Sequence, residues 1–127
     1  MTTTDGRRKK LRAKRFGRLG ENIATVTLWL TGWRVLARGF RGGGGEIDLI
    51  AARRGVLAII EVKARRDLDS ALHALGPAQR QRIIGATRAF LTAHPELDGH
   101  DIRFDVIAVS PGRLPKRIAG AFRTDGL

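Results

Sequence analysis

The stretch Gly45-Glu46-Ile47-Asp48-Leu49-Ile50, followed by Ile59-Ile60-Glu61-Val62-Lys63, places carboxylates inside two apolar, β-branched runs. Runs of this composition predict buried strands, here residues 46–52 and 56–63, and the short connection between them predicts a tight hairpin. Buried strands seldom carry charges without a use for them. The hairpin is therefore the first place to look for a functional site.

The charges collect at the open end of this hairpin. If Arg54-Gly55 is a two-residue loop, Asp48 lies opposite Glu61 and Glu46 lies opposite Lys63. The strand period of two then separates the side chains into two faces. One face carries Glu46, Asp48, Glu61 and Lys63 with Ile50, Ala52, Leu57 and Ile59, and the other carries Ile47, Leu49, Ala51, Ala58, Ile60 and Val62.

Directly opposed carboxylates repel each other, so Asp48 and Glu61 predict a cation or a proton between them. Oxygen ligands suit Mg²⁺ or Mn²⁺, because waters and substrate phosphates complete the metal's shell. Lys63, on the same face, would orient a water or steady a phosphate. The alternative is a solvated hairpin end in which Glu46 simply pairs with Lys63.

Asp48 followed by Glu61-Val62-Lys63 resembles the PD-(D/E)xK nuclease core, with Ile47 where that motif often has proline. The wider chain resembles the YraN-like family of small restriction-endonuclease-like proteins. The resemblance rests on five ordered blocks, which are residues 17–24, 45–51, 61–65, 103–107 and 121–122. It implies a restriction-endonuclease-like α/β fold, a mixed central β-sheet flanked by α-helices.

The resemblance also implies residue roles. Asp48 and Glu61 would be metal ligands, Lys63 the catalytic lysine, and Glu21 a helix-borne carboxylate that completes the metal site. Related sequences carry a lysine near the start of the helix that follows the hairpin, and here Gln79 or Arg80 would take that place. The four successive glycines of residues 42–45 predict a flexible approach to the motif.

Charge is the second indication of function. Lys and Arg outnumber Asp and Glu by 24 to 12, and eight basic residues lie between Arg7 and Arg18. This excess predicts a polyanionic partner such as nucleic acid, although a solvated tail would explain the run alone. The resemblance to nucleases implies that the nucleic acid is DNA. The residues expected to bind nucleic acid are Arg7, Arg8, Lys9, Lys10, Arg12, Lys14, Arg15, Arg65, Gln79 and Arg80.

Length and composition indicate one domain in 127 residues, with residues 1–18 as a basic, flexible arm. The resemblance implies that residues 19–127 form a single restriction-endonuclease-like nuclease domain. The absence of cysteine excludes disulfides and thiolate metal sites. No apolar run approaches the roughly 20 residues of a membrane span, so we expect a cytoplasmic protein without membrane contact. The three histidines show no ligand spacing, so no zinc site is expected.

The remaining elements form the scaffold. An amphipathic helix over residues 20–31, with Glu21 in its first turn, is predicted by apolar residues at helical spacing, which are Leu19, Ile23, Val26 and Leu30, with Ala24 and Leu28 widening the stripe. At Glu21 a helix-dipole role competes with metal ligation. Strands are expected over residues 33–40 and 102–109 and a second helix over residues 77–94. Trp29 and Trp33 are expected in the core, and Asp105 is expected to support the structure.

The leading functional hypothesis is a divalent-metal-dependent nuclease that hydrolyses phosphodiester bonds in DNA, including branched or single-stranded forms. The alternative is a nucleic-acid-binding accessory protein with a nuclease-like fold and little or no turnover. A metal-dependent enzyme for small nucleotides would explain the carboxylates but not the basic arm.

Overall fold

A five-stranded mixed sheet forms the centre of the chain, and the computed structural model describes residues 17–124 and residue 127. The elements are α1 (17–30), β1 (Arg34–Gly42), β2 (Gly45–Arg53), β3 (Val56–Ala64), α2 (Leu68–His73), α3 (Pro77–Ala93), a 3-10 helix (Pro95–Leu97), β4 (Asp101–Val109) and β5 (Lys116–Phe122). The strand order is β1-β2-β3-β4-β5. Strands β3 and β4 are parallel, and the other neighbouring pairs are antiparallel.

The motif hairpin has the predicted register. Regular pairs run from Arg53–Val56 to Leu49–Ile60, as a two-residue loop requires. Arg54 and Gly55 both have positive φ, 49° and 80°, which is the type I′ geometry that matches the twist of a hairpin. The turn therefore fixes which residues of β2 and β3 face each other.

Strict alternation fails at one position of β2. Ile47 was expected on the face opposite Ile50, yet both side chains pack in the same core cluster. Regular pairing with β3 ends at Leu49–Ile60, so the first residues of β2 still pair with β1 but are no longer held in the β2–β3 ladder. The break in alternation coincides with the position of Asp48.

Helices cover both faces of the sheet and give three layers. On one face α1 packs through Ala24 and Leu28 against Leu49 and Ile60. On the other face α3 packs through Ile83 and Phe90. The mixed α/β architecture with a central sheet is thus confirmed, and each face of the sheet has its own apolar core.

The core stripe of α1 is narrower than the expected one. Ala24 and Leu28 are buried as expected, together with Gly20, while the expected stripe residues Leu19, Val26 and Leu30 are more than half exposed. Small residues at every fourth position let the helix lie close to the sheet, and this outweighs the larger apolar side chains on the neighbouring face. The expectation of a core Trp29 was also wrong, since 74% of that residue is exposed.

Trp33 is buried as expected, and the end of α1 explains why. Gly32 adopts φ 88°, the Trp33 N–H donates to the Leu28 carbonyl at 2.9 Å, and the Gly32 N–H donates to the Trp29 carbonyl at 3.1 Å. This is a Schellman motif, which reverses the chain after a helix. The reversal turns Trp33 back into the core beneath α1.

The glycine-rich turn is packed, contrary to the expected flexible approach. A Cβ on Gly43 would lie 2.3 Å from the Gly85 carbonyl oxygen, and one on Gly45 would lie 2.0 Å from the Arg82 carbonyl oxygen. Glycine is therefore required at both positions by the close approach of the α3 backbone. This contact sets α3 against the beginning of β2.

Two elements were not expected, α2 and β5. Helix α2 has six residues and begins after Asp67, whose carboxylate accepts the Ser70 N–H at 2.7 Å as an N-cap.

The basic run over residues 7–15 lies outside the described residues, and residues 17 and 18 of the predicted arm are helical. No helix within residues 17–124 is long and apolar enough to cross a membrane.

Candidate active site

Asp48 lies where β2 and β3 separate. Its carboxylate accepts the Val62 backbone N–H at 2.8 Å, and its own N–H is 3.4 Å from Glu61 Oε1. At this point, side chains replace one of the two backbone partners in the hydrogen bonds between β2 and β3. Asp48 and Glu61 are in contact, as the hairpin register predicts.

Glu61 is the most buried carboxylate of the site, with 4% of the residue exposed. Gln79, in the first turn of α3, donates from Nε2 to Glu61 Oε2 at 3.2 Å. Lys63 Nζ donates to Gln79 Oε1 at 3.2 Å. The amide therefore links the lysine and the glutamate, so Gln79 rather than Arg80 occupies the place next to the motif.

Glu21 approaches the same carboxylates from α1, close enough for the charge of Asp48 to raise its pKa. Residues 17–20 are already helical, so Glu21 is not in the first turn as expected. The helix dipole acts within the first turn, which makes it a weak reason for a carboxylate at this position. The structure thus brings Glu21, Asp48, Glu61 and Lys63 together at one end of the sheet.

The carboxyl groups of the site resist ionisation. Burial raises the pKa of Glu61 to about 8, and the neighbouring Asp48 charge adds to the effect, while Lys63 opposes it. Burial also raises the pKa of Asp48, against the Val62 N–H and Lys63. The pKa of Glu21 is raised first by burial and then by Asp48. Lys63 and the exposed Arg38 do not keep these three carboxyl groups ionised, since all three pKa values are raised, so protons or an additional cation must balance their charge.

The donor set suits a hard divalent cation. All donors are carboxylate oxygens, which is the chemistry that Mg²⁺ and Mn²⁺ prefer. Within residues 17–124, no group of three or more His, Cys, Asp or Glu side chains is arranged to hold a metal ion by itself. A cation here would rest on Asp48 and Glu61 and take further oxygens from outside the protein, as Mg²⁺ commonly does.

Glu46 does not belong to this group. It pairs with Arg41 across the β1–β2 hairpin, with 3.6 Å between Arg41 Nε and Glu46 Oε2, instead of with Lys63. The pairing arises because the tight glycine turn places those residues opposite each other. The alternative was a solvated hairpin end in which Glu46 pairs with Lys63, and it is wrong because Glu46 pairs with Arg41.

Arg38 is a site residue that the sequence reasoning missed. It lies on β1, donates a hydrogen bond to Asn22 and lowers the pKa of Glu21 by its charge. Its exposed guanidinium thus stands beside the carboxyl cluster. Only the β1–β2 register, in which Arg38 pairs with Leu49 next to Asp48, could have indicated this.

Other expected residues lie away from the carboxyl cluster. Arg65 is exposed and donates to the Ala64 carbonyl, and Arg80 donates to the Leu75 carbonyl and lies over the Phe122 ring. Asp105 is buried and bound by Arg103, which confirms its structural role. The expected arm residues Arg7, Arg8, Lys9, Lys10, Arg12, Lys14 and Arg15 lie outside the described part of the chain.

Comparison with known proteins identifies the family of the chain. Residues 20–109 match the family described as "Uncharacterised protein family UPF0102". A UPF0102 protein of Nitrobacter winogradskyi is 49% identical over 84% of this chain and 90% of its own length. A UPF0102 protein of Paramagnetospirillum magneticum is 44% identical over 89% of this chain and 91% of its own length. The resemblance to YraN-like proteins is confirmed at this level: the chain belongs to the UPF0102 family.

Proposed function

We propose that the chain is a divalent-metal-dependent nuclease with a restriction-endonuclease-like fold that hydrolyses phosphodiester bonds in DNA. The observation that carries the proposal is the contact of Asp48 with Glu61, next to Lys63, at the open end of one hairpin. The spacing of these residues resembles the PD-(D/E)xK core. The mixed sheet between helices supports the same fold assignment.

The roles follow from the contacts. Asp48 and Glu61, with Glu21 beside them, would hold Mg²⁺ or Mn²⁺. A divalent cation supplies, when bound, positive charge that offsets the charge developing on the phosphate during hydrolysis. The Val62 N–H fixes the Asp48 carboxylate, and the Gln79 amide fixes Glu61. These backbone and amide contacts keep the two carboxylates in place before substrate arrives.

Lys63 would handle the attacking water. Its ammonium group can donate to a water or to a phosphate oxygen, and Gln79 Oε1 holds it close to Glu61. Arg38 would add a second cation for a neighbouring phosphate. The net charge of +12 supports a polyanionic substrate, since the field draws nucleic acid toward an otherwise acidic site.

The alternative is a nucleic-acid-binding accessory protein with little or no turnover. One observation favours it: the carboxylates of the described residues do not form a complete ligand set for a metal. The two functions differ in whether chemistry accompanies binding. A cleavage assay therefore separates them.

The test uses duplex, single-stranded, flap and four-way-junction DNA with Mg²⁺ or Mn²⁺. Wild type should cleave at least one of these substrates, and Glu61→Gln should not. Glu96→Gln removes an exposed carboxylate of the 3-10 helix and serves as the matched control that keeps wild-type activity. Binding of DNA without cleavage of any substrate, with either metal, would favour the accessory function.

A further inference from the structure

Three arginines surround Trp33 at the end of the sheet away from Asp48. The guanidinium carbons of Arg53, Arg103 and Arg117 lie 5.9, 5.3 and 4.9 Å from the centre of the indole ring. They come from β2, β4 and β5. Arg53 lies on the same face of the sheet as Ala51, and Arg103 lies on the same face as Ile107. Arg117 pairs with Ile107 across the two strands. Because Ala51 and Ile107 pack under α1, all three arginines lie on the α1 side of the sheet.

One carboxylate serves these three cations. Asp105 accepts two hydrogen bonds from Arg103, each 2.9 Å long, and one from the Gly120 N–H at 3.0 Å. Arg117 Nε lies 3.7 Å from the same carboxylate. Arg53 has no carboxylate partner within residues 17–124. The acceptor capacity of Asp105 is thus largely used by Arg103 and the backbone.

Among the described residues, no further carboxylate pairs with these arginines to neutralise the positive charge that remains. Burial lowers the pKa of Arg117; Asp105 opposes this, and the charges of Arg103 and Arg53 lower the pKa further. The carboxyl-terminal end of α1 nearby supplies only about half a negative charge. Stacking on the indole stabilises the guanidinium groups but leaves their charge unchanged. Arg53 and Arg117 therefore have unused capacity to bind an anion.

A cavity of about 310 Å³ opens between these groups. Trp33, Arg53 and Arg117 line it, together with Thr27 and Thr31 of α1. The two threonine hydroxyls donate to helix carbonyls and are not free to donate to a ligand. Trp33 is 4% exposed, and its buried Nε1–H has no hydrogen-bond partner within the described residues.

We infer that this cavity binds a phosphate group through Arg53 and Arg117, beside the Trp33 indole. Guanidinium groups match the geometry of phosphate oxygens and remain charged at all relevant pH values. Given the proposed function, on which this part of the inference rests, the phosphate belongs to the backbone of the nucleic-acid substrate. It lies away from the bond that is cleaved.

The distance between the two sites supports one substrate spanning both. Five residues of β2 separate Asp48 from Arg53, which is about 16 Å at the rise of a strand. Ten residues of α1 separate Glu21 from Thr31, which is about 15 Å at the rise of a helix. The two estimates agree and correspond to roughly five steps of a duplex. A phosphate held here would thus fix the substrate's direction across the α1 side.

The first experiment follows the indole N–H signals by ¹⁵N NMR while inorganic phosphate is added, with sodium chloride of equal ionic strength as reference. Trp29→Phe identifies the Trp33 signal. Phosphate should shift the Trp33 signal in wild type and not in Arg53→Ala. No shift in wild type, or an equal shift in Arg53→Ala, would overturn the phosphate site.

The second experiment measures duplex DNA affinity against salt in EDTA, so that it remains informative for a protein without cleavage activity. Arg53→Ala should lower the salt slope by about 0.9, the value for one lost phosphate contact. Arg88→Ala, which removes an exposed charge of α3 on the opposite face, should leave the slope unchanged. Equal slopes for wild type and Arg53→Ala would overturn the assignment to nucleic acid, even if free phosphate binds.

Discussion

The backbone N–H of Val62 donates to the Asp48 carboxylate at 2.8 Å, just beyond the last regular pair of the β2–β3 hairpin. A side chain of one strand thus replaces the backbone acceptor of the other strand. Because a rigid backbone donor holds it, the carboxylate is fixed at the point where the strands separate. The neighbouring Glu61 carboxylate is held in turn by a hydrogen bond from the Gln79 amide of α3.

Ionisation of Glu61 should make metal-free stability depend on pH. Burial raises its pKa to about 8 from the ordinary 4.5, so over this window the folded state binds more protons than the unfolded state. The free energy of unfolding is therefore highest below pH 4.5 and falls as the pH rises toward about 8. Glu61→Gln cannot ionise, so its Tm in EDTA should rise relative to wild type across the window. Parallel Tm curves for the two proteins would show that Glu61 is not responsible.

A divalent cation should stabilise the folded protein through Asp48 and Glu61. A ligand that binds only the folded state raises Tm, so Mg²⁺ or Mn²⁺ should raise the Tm of wild type more than that of Asp48→Ala. Asp69→Ala, which removes an exposed carboxylate of α2, is the control that should respond like wild type. Thermal unfolding with and without metal measures the shifts. Equal shifts in wild type and Asp48→Ala would place metal binding elsewhere.

Alanine should cost more stability at Gly43 of the glycine turn than at Gly44. Gly43 and Gly44 both have positive φ, which costs alanine about 1 to 2 kcal/mol at either position. Only at Gly43 would the new Cβ meet the α3 backbone, whereas nothing lies within 4 Å at Gly44. Overpacking should add about 1 to 3 kcal/mol for Gly43→Ala. Chemical denaturation checks this difference, and equal losses for the two variants would contradict the close contact.

Gln79 should act as a positioning residue. Its amide donates to Glu61 and accepts from Lys63, so Gln79→Ala removes a contact that favours the ionised form of Glu61. We expect cleavage to fall by about tenfold to a hundredfold and the acidic limb of the pH–rate profile to move to higher pH. Gln81→Ala, an exposed position two residues along α3, is the control. A lower rate with an unmoved pH profile would indicate a purely structural role.

The hairpin and its carboxylates could be predicted because their geometry depends on local rules. The two-residue loop at Arg54-Gly55 fixes the register, and the register brings Asp48 to Glu61. The central sheet and its two flanking helices follow from apolar periodicity in the same way. These features depend on residues that are close in sequence.

The features that were missed depend on long-range packing. Arg38 reaches the carboxyl cluster only through the β1–β2 register, and the choice between Gln79 and Arg80 depends on how α3 sits on the sheet. On α1 the expected stripe included Ala24 and Leu28, but the exposure of Leu19, Val26 and Leu30 depends on how the helix lies on the sheet. Strand β5 escaped prediction because its sequence, with Gly120 and two basic residues, lacks the apolar alternation of a strand.

The most direct test of the central claim compares the cleavage rate of wild type with that of Lys63→Ala at matched DNA affinity. Lys63→Ala leaves Asp48 and Glu61 in place, so it should lower the cleavage rate by about a hundredfold or more while affinity changes little. Lys116→Ala, which removes an exposed ammonium group of β5, controls for the loss of charge and should cleave like wild type. Equal cleavage by the Lys63→Ala and Lys116→Ala variants would contradict the assignment of this hairpin as the active site.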